Sequence, residues 1–280
     1  MLRLDRLSRQ EVIARPYPHI AVHDALDAIS ELNEAFPARE AFGPTIRMDG
    51  DLTAGDPGYE ALMSRSGAYA ALHRQVYSDA FVGGFLDLFA DCIRRASANG
   101  ELLADPFAMK RVFEPVETRV SGPSFVGGDE PFLYPRFDIG YGGVGYGVRN
   151  GGRGVHIDNA PRLISILVFL NTPAEMVGGR HRLYRLRAGK PVVAAAHAPV
   201  AGLLIASLQN NRAFHDVEPI ETIVGERRAF YMALSCSQPI WRRQTHRNLS
   251  VISQNRYDPA GDRRRFGWMS DLLARRKRTV

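Results

Sequence analysis

Cysteine is nearly absent: the 280 residues hold only Cys92 and Cys236. Two thiols make no disulfide framework, so a cytoplasmic, reducing setting is expected. Cys236 lies in the apolar run "YMALSCSQ", which predicts a buried, inert thiol. No run of 18 apolar residues occurs, so no membrane-spanning helix is predicted. The opening "MLRLDRLSRQEVIARP" lacks the apolar centre of a secretory signal. A repeat of solenoid period is missing too. Charge excess is also missing from the body of the chain. The net charge is +6, but residues 261–280 hold seven Lys or Arg against two Asp, leaving 29 against 28 elsewhere. That basic tail reads as a solvated terminus, and the near-neutral body argues against a duplex-binding groove.

What is present is an ordinary globular composition, 45% apolar, enough for one large domain with a helical annex. "LDAISELNEAFPAR" spaces Leu26, Ile29, Leu32 and Phe36 at helical intervals and stops at Pro37. The stretch from Gly58 continues with Leu72, Val76, Phe81, Phe85, Leu88, Phe89 and Ile93 and closes at Asn99-Gly100. From about Phe107 onward the segments are short and β-like: "RVFEPVETRV", "LYPRFDIGYG", "RLISILVFLN", "RHRLYRL", "KPVVAAAH", "GLLIASLQ", "AFHDVEPI" and "ERRAFYMALSCS". Their spacing predicts a sandwich or jelly roll. Eleven of the 26 glycines fall between Gly122 and Gly154. Within them "GYGGVGYG" imitates a dinucleotide fingerprint, but no helix would start in the "YGVRNGGRGV" that follows.

The chemistry concentrates at "GRGVHIDNAPRLISILVFLN". His156 and Asp158, two apart on an extended chain, aim an imidazole and a carboxylate at one point, with Ile157 turned away. The strand after them is apolar on both faces, as a central, covered strand is. His215, in "NNRAFHDVEPI", is the third candidate; it shares a face with Val217 while Asp216 and Glu218 are expected to face outward. Two imidazoles and one carboxylate leave open positions on ferrous iron. Twelve residues later, "GERRAFYMAL" puts Arg227, Ala229, Tyr231 and Ala233 on a narrow face and Arg228, Phe230, Met232 and Leu234 on a bulky one. An inward Arg227 suits a dicarboxylate, since its planar fork pairs bidentately with a carboxylate; a register shift would put Arg228 there instead. His19 and His23, placed at the start of the helical part, and His73, His197 and His246 read as surface or structural histidines. His181 is the spare ligand.

In order, "HID", "FHDVEPI" and "GER" resemble the 2-oxoglutarate and Fe(II)-dependent dioxygenases, in particular their prolyl-hydroxylase-like branch. "FLNTPAEMVGGRHRLYR" is similar to the strand and Gly-Gly turn of that family, and "RPYPHIAVHDALDA" to openings of bacterial members. The likeness covers roughly residues 115–257 and that N-terminal phrase. It implies a double-stranded β-helix, or jelly roll: an all-β core with helices (α+β), the helices forming an N-terminal layer on the outer sheet. Residues 1–114 would be the helical support, 115–257 the catalytic core and 258–280 the basic tail. The resemblance implies Fe(II) on His156, Asp158 and His215, 2-oxoglutarate as co-substrate with its distal carboxylate on Arg227, and O2. It also implies a tyrosine touching the co-substrate, for which Tyr146 is the nearest match. Arg180-His181 replaces the family's usual acidic-hydrophobic pair after Gly178-Gly179.

C–H hydroxylation with release of succinate and CO2 is the outcome so implied. A small molecule ranks first as substrate: a biosynthetic intermediate, an amino acid or a saccharide-linked group. Protein side-chain hydroxylation of the prolyl type ranks second, and nucleic-acid repair third. A 2-oxoglutarate-independent cupin-type metalloenzyme and a non-enzymatic jelly-roll binding module stay open as rivals, and so does a homo-oligomer.

Overall fold

The computed structural model describes residues 1–7, 10–42, 49–116, 130–143 and 155–242. Tyr146, His246 and the basic tail therefore lie outside the described residues. Among the described residues, six α-helices precede most of the strands: α1 (Leu4–Leu7), α2 (Ile29–Glu34), α3 (Pro57–Arg65), α4 (Gly67–Val76), α5 (Asp79–Leu88) and α6 (Ala90–Ala98). The long helical stretch expected after Gly58 is thus cut into four. Serines make two of the three cuts: the Ser66 and Ser78 hydroxyls accept from the amides of Tyr69 and Phe81, capping α4 and α5, while the third falls at Phe89 between α5 and α6. Asn99-Gly100 closes α6, with Gly100 at φ +67°.

Twelve strands of the described residues follow or interleave: β1 (His19–Val22), β2 (Asp49–Leu52), β3 (Lys110–Arg111), β4 (Phe132–Gly142), β5 (Arg162–Phe169), β6 (Met176–Gly178), β7 (His181–Arg187), β8 (Lys190–His197), β9 (Leu204–Leu208), β10 (His215–Val217), β11 (Ile220–Ile223) and β12 (Arg227–Cys236). They form a seven-stranded sheet in the order β1-β9-β5-β12-β4-β2, with β3 beside β4, a three-stranded sheet β10-β7-β8, and the pair β11-β6. Among the described residues, every pairing is antiparallel except β3 with β4. His19 belongs to β1 and not to a helical opening: it is buried, and its Nδ1 lies 2.8 Å from the Tyr17 carbonyl.

The large sheet divides its two faces by chemistry. One face carries Phe137, Ile139, Ile164, Ile166, Val168, Phe230, Met232 and Leu234, all buried in one cluster with Leu62, Tyr69, Leu72, Phe81 and Phe85 of the helices. Ring contacts of 5.7 Å between Tyr69 and Phe230 and 5.4 Å between Phe137 and Phe230 mark the seam. The other face is set by register. Arg136, Ala233, Ser165, Ser207 and His19 run across it in one row. Asp138, Tyr231, Leu167, Ile205 and Ala21 form the next, and Asp51, Gly140, Ala229 and Phe169 the one after. Polar side chains on an inner sheet face cost free energy unless partners meet them. Here they meet across a cavity of about 160 Å³ that lies between this face and residues of β7 and β10. Among the described residues, no helix is long and apolar enough to cross a membrane.

Candidate metal centre

His156 and His215 come together through the backbone first. Each amide donates to the other residue's carbonyl, at 3.0 and 2.9 Å, an isolated antiparallel bridge between the segment before β5 and the start of β10. Directly paired residues project on the same side of a ladder, so the two rings face one another with centroids 4.4 Å apart. Asp158 arrives from the same extended segment, and its Oδ1 stands 3.8 Å from Nε2 of both histidines. Ile157 points the other way, into a cluster with Val155, Tyr184 and Phe214.

The donor set is oriented by its neighbours. His215 Nδ1 sits 2.9 Å from the Ala213 carbonyl; a carbonyl accepts only, so Nδ1 carries the hydrogen and the Nε2 lone pair faces Asp158. The Ser165 hydroxyl donates to Asp158 Oδ2, and Arg162 Nη1 lies 3.5 Å from the same oxygen. That leaves Oδ1 for the histidines. Burial alone would raise the Asp158 pKa, but Arg162, His215, His156 and the Ser165 hydroxyl hold it well below the usual carboxylate range. It is an anion at any physiological pH.

His156, Asp158 and His215 each offer one donor atom, all within 4.8 Å of one another. Cis donors about 2.1 Å from one ion lie about 3 Å apart, so an ion would need the 3.8 Å separations to shorten by under an ångström. Two imidazoles and one carboxylate suit Fe(II) chemistry, and a three-residue set would leave coordination positions free for other donors. The residues present fit a divalent ion of this type.

His181 of β7 lies near this set: its ring centroid is 5.5 Å from that of His215. It is buried, and its Nδ1 has no hydrogen-bond partner among the described residues. Burial, followed by the charges of His215, Arg227 and neighbouring histidines, pushes its pKa well down, so it stands neutral. His73 is held by the Tyr59 hydroxyl at 2.7 Å, and His197 ends β8, half-buried.

Arg227 is fully buried on the inner face with Ala229 and Tyr231. Its Nη1 donates to the Tyr231 hydroxyl at 2.7 Å, and its guanidinium carbon lies 5.0 Å from the Phe169 ring centroid. Arg228 faces the helices instead, with Nη1 3.2 Å from Asn33 Oδ1 and its guanidinium over Phe36. One expectation fails. Asp216 does not face solvent: it is buried, gripped by Arg182 through two bonds of 2.7 and 2.5 Å and by the Tyr184 hydroxyl at 2.9 Å. A long neighbouring arginine folds over it, which strand alternation alone does not reveal.

Several cavity residues were not singled out from sequence: Asp51, Arg136, Asp138, Arg162, Ser165, and Tyr231 as more than a face-mate of Arg227. The signal was there for two of them. In "LYPRFDIG" every second residue, Arg136 then Asp138, is charged, while Leu133, Phe137 and Ile139 on the opposite face are apolar.

No family model matches the sequence, and no curated protein matches it either. Among solved structures the chain is similar to a Pseudomonas putida prolyl-4-hydroxylase, at 17% identity and TM-score 0.43, covering 78% of this chain and 91% of that one. It is similar to a Burkholderia pseudomallei oxidoreductase of the 2OG-Fe(II) oxygenase family, at 13% identity and TM-score 0.47, with coverage of 87% and 94%. A dioxygenase for auxin oxidation in rice is similar at 13% identity and TM-score 0.41, with coverage of 78% and 73%.

Proposed function

We propose that the chain is a non-haem Fe(II) oxygenase that uses 2-oxoglutarate and O2 to hydroxylate a C–H bond of a small molecule, releasing succinate and CO2. The observation that carries this reading is the convergence of His156, Asp158 and His215 on one point at a cavity wall. The electrons balance: O2 accepts four, two from decarboxylation of the co-acid and two from the substrate C–H bond. Bound iron would supply the site at which O2 is activated beside the co-substrate.

The chain's own residues have separable tasks. His156, Asp158 and His215 would hold the ion, while Ser165, Arg162 and the Ala213 carbonyl keep Asp158 and His215 aimed at it. Arg227 would pair with the distal carboxylate of 2-oxoglutarate, its fork matching that group, and the Tyr231 hydroxyl bonded to Nη1 stands beside that position. Tyr146, the tyrosine the resemblance implied for the co-substrate, lies outside the described residues. Leu167, Phe169, Leu203, Ile205 and Ala229 form an apolar cluster, with Phe169 against the Arg227 guanidinium, that would keep water from the ion pair. The double-stranded β-helix reading goes with this one: the large sheet and the β10-β7-β8 sheet face each other across the cavity.

Anaerobic titration of Fe(II) and 2-oxoglutarate tests it. A weak visible charge-transfer band is expected in the wild type. His156→Ala should abolish it, and Arg227→Ala should abolish it at 2-oxoglutarate concentrations that saturate the wild type. A wild-type protein with no stoichiometric iron and no band would overturn the proposal.

A further inference from the structure

The wall of the cavity contributed by β4 and β2 has no task in the scheme above. Asp138 lines it with its side chain only 9% exposed. One oxygen, Oδ2, takes the Arg136 Nε at 2.6 Å; the other, Oδ1, is buried and accepts no hydrogen bond from any described residue. Asp51 stands at the rim of the same wall, one row along the sheet, with its Oδ1 over Gly140. A buried carboxylate oxygen without a donor costs free energy. Burial, reinforced by Asp51 and opposed by Arg136 and Arg162, pushes the Asp138 pKa up to about 6. A fold that keeps such a group in a cavity has a use for it when the cavity is filled.

We propose that Asp138, assisted by Asp51, is the substrate-anchoring carboxylate, and that it binds the protonated amine of a small-molecule substrate. The placement supports this. Asp138 sits beside Tyr231 on the neighbouring strand, and the adjacent row carries Ser165, the residue that holds Asp158. Two strand spacings separate the Asp138 column from that of Ser165, roughly 10 Å. A short carbon chain anchored by its amine at Asp138 would therefore reach toward the metal side. The orphan oxygen is an acceptor, which an ammonium group meets and a carboxylate does not. The inference rests on the proposed oxygenase reading for its meaning as a substrate site, but the amine contact itself needs no iron.

Calorimetry on the metal-free protein is the test, with the proteinogenic amino acids, 1,3-diaminopropane and 1,5-diaminopentane as probes, each beside its N-acetyl counterpart. At least one free amine should bind, and N-acetylation should weaken it tenfold or more. Asp138→Asn should weaken it by a similar factor and Asp51→Asn by less, with circular dichroism confirming that both variants fold. Affinity should fall as pH drops through about 6, where Asp138 takes up its proton. The charged and titratable groups around it among the described residues are Arg136 on its own strand, Asp51 from β2, Arg162 from β5, Tyr231 from β12, Tyr59 of α3 and Tyr77 just after α4. No binding by any amine, equal binding of acetylated probes, or full affinity in Asp138→Asn each overturns the proposal. Failure of the oxygenase reading would show separately, as absence of the Fe(II)–2-oxoglutarate band in the wild type.

Discussion

Ser165 and Asp138 stand on the same sheet face and present opposite cases of a polar side chain in a core. Ser165 acts through Asp158, whose Oδ2 it holds. Ser165→Ala should weaken Fe(II) binding by about 10-fold, in the range seen when groups that orient metal ligands are removed, with little change in thermal midpoint. Iron titration beside a melting curve checks both. Asp138 is the reverse. Its folded pKa of about 6 lies above the ordinary 3.8, so the folded chain holds that proton more tightly than the unfolded one. The ionised form therefore costs stability above pH 6, up to about 3 kcal/mol, and the cost fades as pH falls toward 4. Asp138→Asn should melt higher than wild type at pH 8 and converge with it near pH 4. The two side chains were unequally readable in the sequence. Asp138 belongs to a charged alternation that strand periodicity exposes, whereas the role of Ser165 depends on a carboxylate seven residues earlier that only the turn into β5 brings back.

At the scale of elements, β10 is three residues long and carries His215, so its position depends on what clamps it. The clamp is Asp216, locked by Arg182 and Tyr184 of β7. Arg182→Met would strand a buried carboxylate, at a cost of about 3–5 kcal/mol. Denaturant midpoints should fall accordingly, and iron affinity with them. A second element-scale contact is Gly140, over which the Tyr231 ring lies so closely that an added Cβ would come within 2.0 Å of it. Gly140→Ala should destabilise by about 1–3 kcal/mol, and a Tyr231→Ala background should remove most of that cost, a coupling that a double-mutant cycle reads directly. The long strands β4, β5 and β12 were legible because their periodicities extend over 8 to 11 residues. β1, β2, β6 and β11 were not. Each is three or four residues, and "DGDL" or "MVG" becomes a strand only because a partner edge offers hydrogen bonds. The helical region was legible as helical; its breaks at Ser66 and Ser78 needed capping geometry.

For the molecule as a whole, the ligands of the candidate centre come from a segment leading into the large sheet and from a strand of the small one. Whatever binds all three ties the sheets together. Mn(II), which shares the ligand preferences of Fe(II) without oxidising as readily, should stabilise the fold by about 2.7 kcal/mol at a hundredfold excess over its Kd; a chelator should reverse the shift, and Asp158→Ala should abolish it. The three residues that cluster at the candidate centre were readable from residue types and phrase order. The wall formed by Asp51, Arg136 and Asp138 was legible only in its β4 alternation, because Asp51 of β2 joins it through register alone. The reciprocal amide bonds between His156 and His215 have one more consequence. Those two N–H groups can exchange with solvent only when the sheets part at that point. Deuterium uptake at 156 and 215 is thus a built-in gauge of metal occupancy, one that works with no substrate, no oxygen and no colour.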